Sequence, residues 1–394
     1  MERRAKLLEL DLFRAICILS VILIHATSFA TVKMTENNLY GVYNFLNIFS
    51  KFGVTSFIFL SGFVFFYNYY PQPLTAAKFK TFYRNRLLYI LVPYFLFSAF
   101  YFLLRWYQNK KPWDLSDLLP SFGGDLLTGQ AYTHLYFIFI TIQFYLLFPI
   151  VLLLFQRFKW LAASAVILGI VVQWAFFLLN REYWQVPIRG SWSLTYFGHY
   201  FLGAWLGIHY DRIKSWLIIA KENITRSKII LWIIMWGLCL SSGFIYVSMF
   251  YRAKIYGTRF TNLQYDGLWD IFTLLFPFLL LQVCFLLGKR IQTTWWVGRL
   301  NHLGVVSFGV FLIHPLVLLV YRKFPVNGGS PWIHHLWYAG GFFCALFISW
   351  IIVTVMSRMS WSWLLFGNVS SQLKGPTQPQ RTVEAPPSTP SSSA

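Results

Sequence analysis

Residues 9–25 read ELDLFRAICILSVILIH. The apolar run around them, residues 8–31, is long enough for a helix that crosses a bilayer, which takes about 20 mainly apolar residues. Yet Asp11, Arg14 and His25 sit inside it. Arg14 and His25 are eleven residues apart. At about 100° per residue that is within about 20° of three full turns, so the two share one stripe, about 16 Å apart along the axis. Asp11, Cys17, Val21 and Ser28 fall on roughly the same stripe. An ionisable residue within a spanning helix marks a functional site unless it snorkels to the headgroups or serves only helix packing. Arg14 alone fits either reading; Arg14 and His25 on one stripe favour function. Arg3, Arg4 and Lys6 precede the run as they would a secretory signal. Asp11 and Arg14 break up its start, however, so an uncleaved first helix is expected.

The whole chain has the same character. Of its 394 residues 57% are hydrophobic, 21% aromatic and only 12% charged. Soluble domains carry roughly twice that share of charge, so a soluble enzyme, a disordered chain and a fibrous protein are excluded. The fold class expected is all-α, a polytopic membrane protein of about ten spanning helices, near residues 8–31, 43–68, 87–107, 132–155, 160–180, 192–210, 228–251, 266–287, 300–321 and 335–358. The runs at 160–180 and 192–210 are the weakest of the ten. Gly203 and Gly207 give the latter a small-xxx-small face for close helix packing.

The net charge of +20 does not point to nucleic acid, because the basic residues fall in short clusters between apolar runs. With the N-terminus inside, 20 of the 33 Lys and Arg lie in inner segments and 11 in outer ones, which puts both termini in the cytoplasm. Residues 1–367 form the membrane domain. Residues 368–394, rich in Pro and Ser, form a tail expected to be disordered. The four cysteines all lie in apolar segments without a CxxC pair, so neither a disulfide framework nor a metal site is expected.

Several segments resemble the acyltransferase 3 family. Arg14 and His25 match its Arg-x10-His helix. Phe57-Ile-Phe-Leu-Ser61-Gly62-Phe63 is similar to its FFxxSGF segment. Arg84-Asn-Arg86 followed by Pro93-Tyr94 resembles the basic start of its third helix. Thr133-His134-Leu135-Tyr136-Phe137 is similar to HLWFL, and Ser307-Phe308-Gly309 with Leu312-Ile313-His314-Pro315 to SYGxYLxHP. The resemblance covers about residues 8–360. It implies a multi-pass protein of the bacterial cytoplasmic membrane that moves an acetyl or other short acyl group onto a hydroxyl of a cell-envelope carbohydrate or lipid-linked glycan. The implied donor is acyl-CoA, with no permanently bound cofactor. Two departures stand out: Tyr89 occupies the position of a second helix-3 arginine, and Tyr136 replaces a Trp.

The spacing suits such a donor. Arg14, with Arg84 or Arg86, would grip the phosphates of acyl-CoA, since a guanidinium binds them bidentately. His25, about 16 Å deeper, would take the proton of the acceptor hydroxyl as general base. Asp11 would either orient Arg14 or simply neutralise it. Ser61-Gly62, placed near the cytoplasmic end of helix 2, would let the donor arm pass or let helices pack. His314, at a depth similar to His25, faces the same cavity or marks a Pro kink. His134, at the outer start of helix 4, meets the acceptor or is a solvated helix end. His334-His335 reads as a loop pair. Gly-x-Ser-x-Gly and P-loop patterns are missing, which favours direct transfer over an acyl-serine. The rival class is a transporter or exporter of an acylated glycan or small anion, which would show repeated halves and broken midplane helices. A third reading is a structural partner of a polymer synthase.

Overall fold

The computed structural model describes residues 7–219, 224–326, 328 and 331–369. They are helical, without strands among the described residues. The elements are α1 (Glu9–Thr27), α2 (Ala30–Lys33), α3 (Tyr40–Phe49), α4 (Phe52–Tyr69), α5 (Ala76–Arg86), α6 (Val92–Gln108), α7 (Leu115–Thr128), α8 (Tyr136–Arg157), α9 (Lys159–Ala163), α10 (Ala165–Leu179), α11 (Phe197–Leu217), α12 (Arg226–Tyr256), α13 (Asn262–Gly288), α14 (Trp295–Tyr321), α15 (Pro331–Met356) and α16 (Trp363–Phe366). Among the described residues, nine helical units are long and apolar enough to cross a membrane. The tenth expected span is α11. It need not be apolar throughout, because much of its surface meets protein: Tyr200, Ala204 and Leu206 are fully buried.

Close backbone contact explains how α11 is held. Any Cβ added at Gly203 or Gly207 would meet the carbonyls of Phe59 and Phe63 on α4, and one at Gly62 would meet the carbonyl of Tyr200. The small-xxx-small face is thus a packing seam, where dispersion between nearly touching backbones replaces the hydrophobic drive that lipid does not supply. α1 is the central strut, in contact with α3, α4, α13, α14 and α15. Its closest approach is to α14, where Gly304 lies against the carbonyl of Asp11 so tightly that no side chain fits.

Several expected boundaries are corrected. The run at 43–68 is two helices, α3 and α4, parted at Ser50–Lys51. The third unit begins at Ala76, not 87: α5 is capped by Thr75 and joins α6 through a π-turn at Leu87–Leu91. Pro93 is the cause, since it has no N–H to give the Tyr89 carbonyl and the backbone widens one turn around the gap. The helix placed at 192–210 starts at Phe197 after 3-10 turns. The loop after α6 holds the unforeseen α7, whose cap is Asp114 accepting from the Ser116 N–H at 3.0 Å and whose stop is Gly129 at φ 74. Those backbone and side-chain hydrogen bonds hold the Asp114 carboxyl below its ordinary pKa. His334 and His335 lie in the first turns of α15 and not in a loop, and the Tyr43 hydroxyl meets His335 Nδ1 at 2.6 Å.

Two ends of the bundle are distinct. Arg14 and Arg86 lie at one. At the other, Arg322 donates to the His25 carbonyl at 2.5 Å and Arg105 to the Gln130 carbonyl at 2.9 Å. There Arg189 and Asp266 form a two-bond pair at 2.9 and 2.7 Å, which raises the Arg189 guanidinium above its ordinary pKa. The cysteines are free; Cys17, Cys239 and Cys284 are buried and Cys344 is half-buried.

Candidate functional site

A cavity of about 370 Å³ opens at the Arg14 end of the bundle, within the roughly 300–1,000 Å³ range of small-molecule sites. Arg14, Ser61, Asn85, Arg86 and Ser307 give it polar atoms; Phe57, Phe137, Phe308, Phe311 and Phe366 give it an aromatic lining. Arg14 is 30% exposed, and its Nη1 donates to Asp11 Oδ1 at 2.5 Å. Asp11 thus pairs with the guanidinium that lines the cavity, a contact that serves orientation and charge balance alike. Arg86 lies at the end of α5, its guanidinium 4.4 Å from the Phe82 ring centre, 5.0 Å from Phe65 and 5.5 Å from Tyr145. Three rings around one cation fix its position by cation–π attraction while leaving its N–H edges to donate. Arg84, two residues earlier, is exposed and does not line the cavity.

Ser61 is not at a helix end. It stands in the middle of α4, where its hydroxyl donates to the Phe57 carbonyl at 3.1 Å and faces the cavity. Gly62, its neighbour, serves the α11 seam. Of the expected tail, Asn368 and Val369 also line the cavity. Gly367, at φ 63, takes the chain past the Tyr89 carbonyl with no room for a Cβ. Residues 370–394 lie outside the described residues.

Deeper along α1 the structure gathers three imidazoles. The ring centres of His25 and His314 are 5.2 Å apart, and those of His134 and His314 5.8 Å. His314 is fully buried. Its Nδ1 lies 3.1 Å from the Val310 carbonyl. A carbonyl only accepts, so Nδ1 carries a proton, and in the neutral ring Nε2 keeps its lone pair. That Nε2 has no partner among the described residues, nor has either nitrogen of His134. His134 is 1% exposed, so it is not a solvated helix end: Tyr101 and Phe311 enclose it, each with its ring centre 5.1 Å away. His25 is half-buried. Its carbonyl is held by Arg322, whose guanidinium also stands 3.7 Å from the Phe29 ring centre.

Three other histidines are tied elsewhere: His199 to Thr273, His209 to the Trp205 carbonyl and His302 to Trp350. No group of three His, Cys, Asp or Glu side chains among the described residues is arranged to hold a metal ion. Sequence spacing brought Arg14, His25 and His314 into view. Arg322, Asn85 and the wall of Phe57, Phe137 and Phe311 escaped it. Part of that wall did carry a signal, since Ser307, Phe311 and His314 stand at i, i+4 and i+7 on one face of α14.

A helical bundle with membrane-length helices, a basic, aromatic-lined cavity at one end and the buried imidazoles of His134 and His314 beyond it has the makings of an intramembrane group-transfer protein. The chain belongs to the acyltransferase 3 family: the family's acyltransferase domain matches residues 7–366. It is thus a multi-pass membrane acyltransferase. Among its relatives is the probable poly-beta-1,6-N-acetyl-D-glucosamine export protein of Staphylococcus aureus strain MSSA476, 25% identical over 326 residues, 79% of this chain and 82% of the relative. The protein of the same name from Staphylococcus epidermidis is 26% identical over 325 residues, 79% of this chain and 81% of that one. No solved structure matches the chain.

Proposed function

We propose that the protein transfers an acetyl or other short acyl group from acyl-CoA to a hydroxyl of an envelope carbohydrate or lipid-linked glycan at the bacterial cytoplasmic membrane. The observation that carries this reading is the pairing of Arg14 and Arg86 in one cavity with His25 on the same face of α1, about 16 Å farther along. The two guanidiniums suit phosphates, for which the fork geometry allows paired hydrogen bonds. The apolar lining suits the pantetheine arm. His25 takes the hydroxyl proton; the hydroxyl oxygen bonds to the thioester carbonyl carbon, the C–S bond breaks, and CoA leaves as thiolate, to be protonated in turn. His314, with its lone pair on Nε2, stands next to His25 as a second acceptor for that proton. A glycan acceptor agrees with the glycan named for the staphylococcal relatives.

The same name supports a second reading, an exporter of such a glycan. One experiment separates them. Labelled acetyl-CoA is given to the purified protein in vesicles with extracted envelope glycans. Label appearing on glycan supports transfer; label remaining on CoA while glycan crosses the vesicle wall supports export.

A further inference from the structure

The cavity stops short of the imidazoles. Phe57 from α4, Phe137 from α8 and Phe311 from α14 all line it. Their rings form a row: Phe57 and Phe137 are 5.9 Å apart and Phe137 and Phe311 5.5 Å. Phe311 then touches the other side, 5.1 Å from the His134 ring and 6.0 Å from that of His314. One phenyl ring is therefore wall to the cavity and neighbour to two histidines. Phe311 is only 6% exposed, and α1 contributes Ile18, Val21 and Ile22, all buried, between the levels of Arg14 and His25.

We propose that Phe311, backed by Phe57 and Phe137, is the residue that makes this site select a sugar hydroxyl over water. The proposal rests on the donor reading above. A thioester within reach of unpartnered imidazole nitrogens and water would hydrolyse: a water oxygen would bond to the acyl carbon, the C–S bond would break, and free acid and CoA thiol would leave. Keeping the thioester behind an apolar partition until the ring swings aside prevents that side reaction. The ring is coupled to the acceptor side because it packs edge-on against His134. A hydroxyl that docks at the open His134 nitrogens would disturb the same contact that holds the ring shut.

The test has two arms. In the first, wild type, Phe311→Ala, Phe311→Leu and Phe311→Ala/His25→Ala are placed in nanodiscs. CoA binding is measured, followed by thiol release from acetyl-CoA without any acceptor. Phe311→Ala should raise acceptor-free release at least about tenfold, a part of the 10²–10⁴-fold that base-assisted chemistry typically contributes. Phe311→Leu, which keeps an apolar plug, should stay near wild type, and the added His25→Ala should abolish the gain. Phe311→Ala that binds CoA yet releases thiol at the wild-type rate overturns the proposal.

The second arm needs no donor. In a background lacking Cys17, Cys239, Cys284 and Cys344, His25→Cys is labelled with an impermeant thiol reagent in vesicles. Ser61→Cys marks the vesicle orientation that presents the cavity. Adding Phe311→Ala should speed labelling of position 25 from that side; unchanged labelling overturns the partition. Should wild type fail to bind CoA, the donor reading falls, and the labelling arm alone still decides whether the rings close the cavity.

Discussion

Gly304→Ala addresses the contact on which the site's geometry depends. Gly304 on α14 lies against the carbonyl of Asp11 on α1, and an added Cβ would overlap the carbonyl oxygen, carbon and Cα of that residue. All three are backbone, so no side chain can turn away. The helices must part by on the order of 1 Å, and overpacking of this kind typically costs about 1–3 kcal/mol. The same displacement moves α1, with Arg14 and His25, relative to α14, with Ser307, Phe311 and His314. A shift of about 1 Å in a catalytic array can lower turnover on the order of 10²-fold. Gly237 on α12 is the control. It is exposed, with open space where a Cβ would go, so Gly237→Ala should stabilise by about 0.5–1 kcal/mol through helix propensity alone. The assay is thermal unfolding in detergent beside acyl transfer in nanodiscs. Gly304→Ala with wild-type stability and wild-type transfer would refute the claim that this contact sets the register between the two helices.

Reporter fusions after Lys111 and after Ile224 should fall on opposite sides of the membrane; the same side for both would break the topology. Arg86→Ala should weaken CoA binding about tenfold or more, the range of a lost charge-assisted hydrogen bond. Arg84→Ala, at an exposed position outside the cavity, should stay within about twofold by the same reasoning. Equal effects of the two would remove the distinction drawn between them. Arg189→Lys, which gives up one bond of the Asp266 pair, should lower the unfolding temperature while leaving CoA affinity unchanged; an altered affinity would connect that end of the bundle to the Arg14 cavity.

Most of the spans could be read from the sequence because bilayer thickness imposes a length of apolar chain that local composition reveals. Arg14 and His25 were legible for a similar reason: the helical period alone puts them on one stripe. What local reading could not supply is what other helices bring. His134 looked like a solvated helix start because nothing near it in sequence shows that Tyr101, Phe311 and His314 close over it. The choice between Arg84 and Arg86 depended on the angle at which α5 enters the π-turn, which Pro93 sets from seven residues away. The break at Ser50–Lys51 is marked in the sequence by a single charged residue, Lys51, inside an otherwise apolar run. The α7 helix carries a local signal in its Asp114 cap and Gly129 stop. Asn368 and Val369 belong by composition to the tail, and only the chain's path past Tyr89 puts them at the cavity.

Donor binding and chemistry at opposite ends of the α1 stripe can be separated by substitution at His25. His25→Ala and His25→Gln are compared with wild type for yield, CoA affinity and rate of acyl transfer from acetyl-CoA to envelope glycan. The expected result is a folded His25→Ala protein that binds CoA normally and transfers about 10²–10⁴-fold more slowly, the usual contribution of a general base. A folded His25→Ala protein that transfers at nearly the wild-type rate would contradict it.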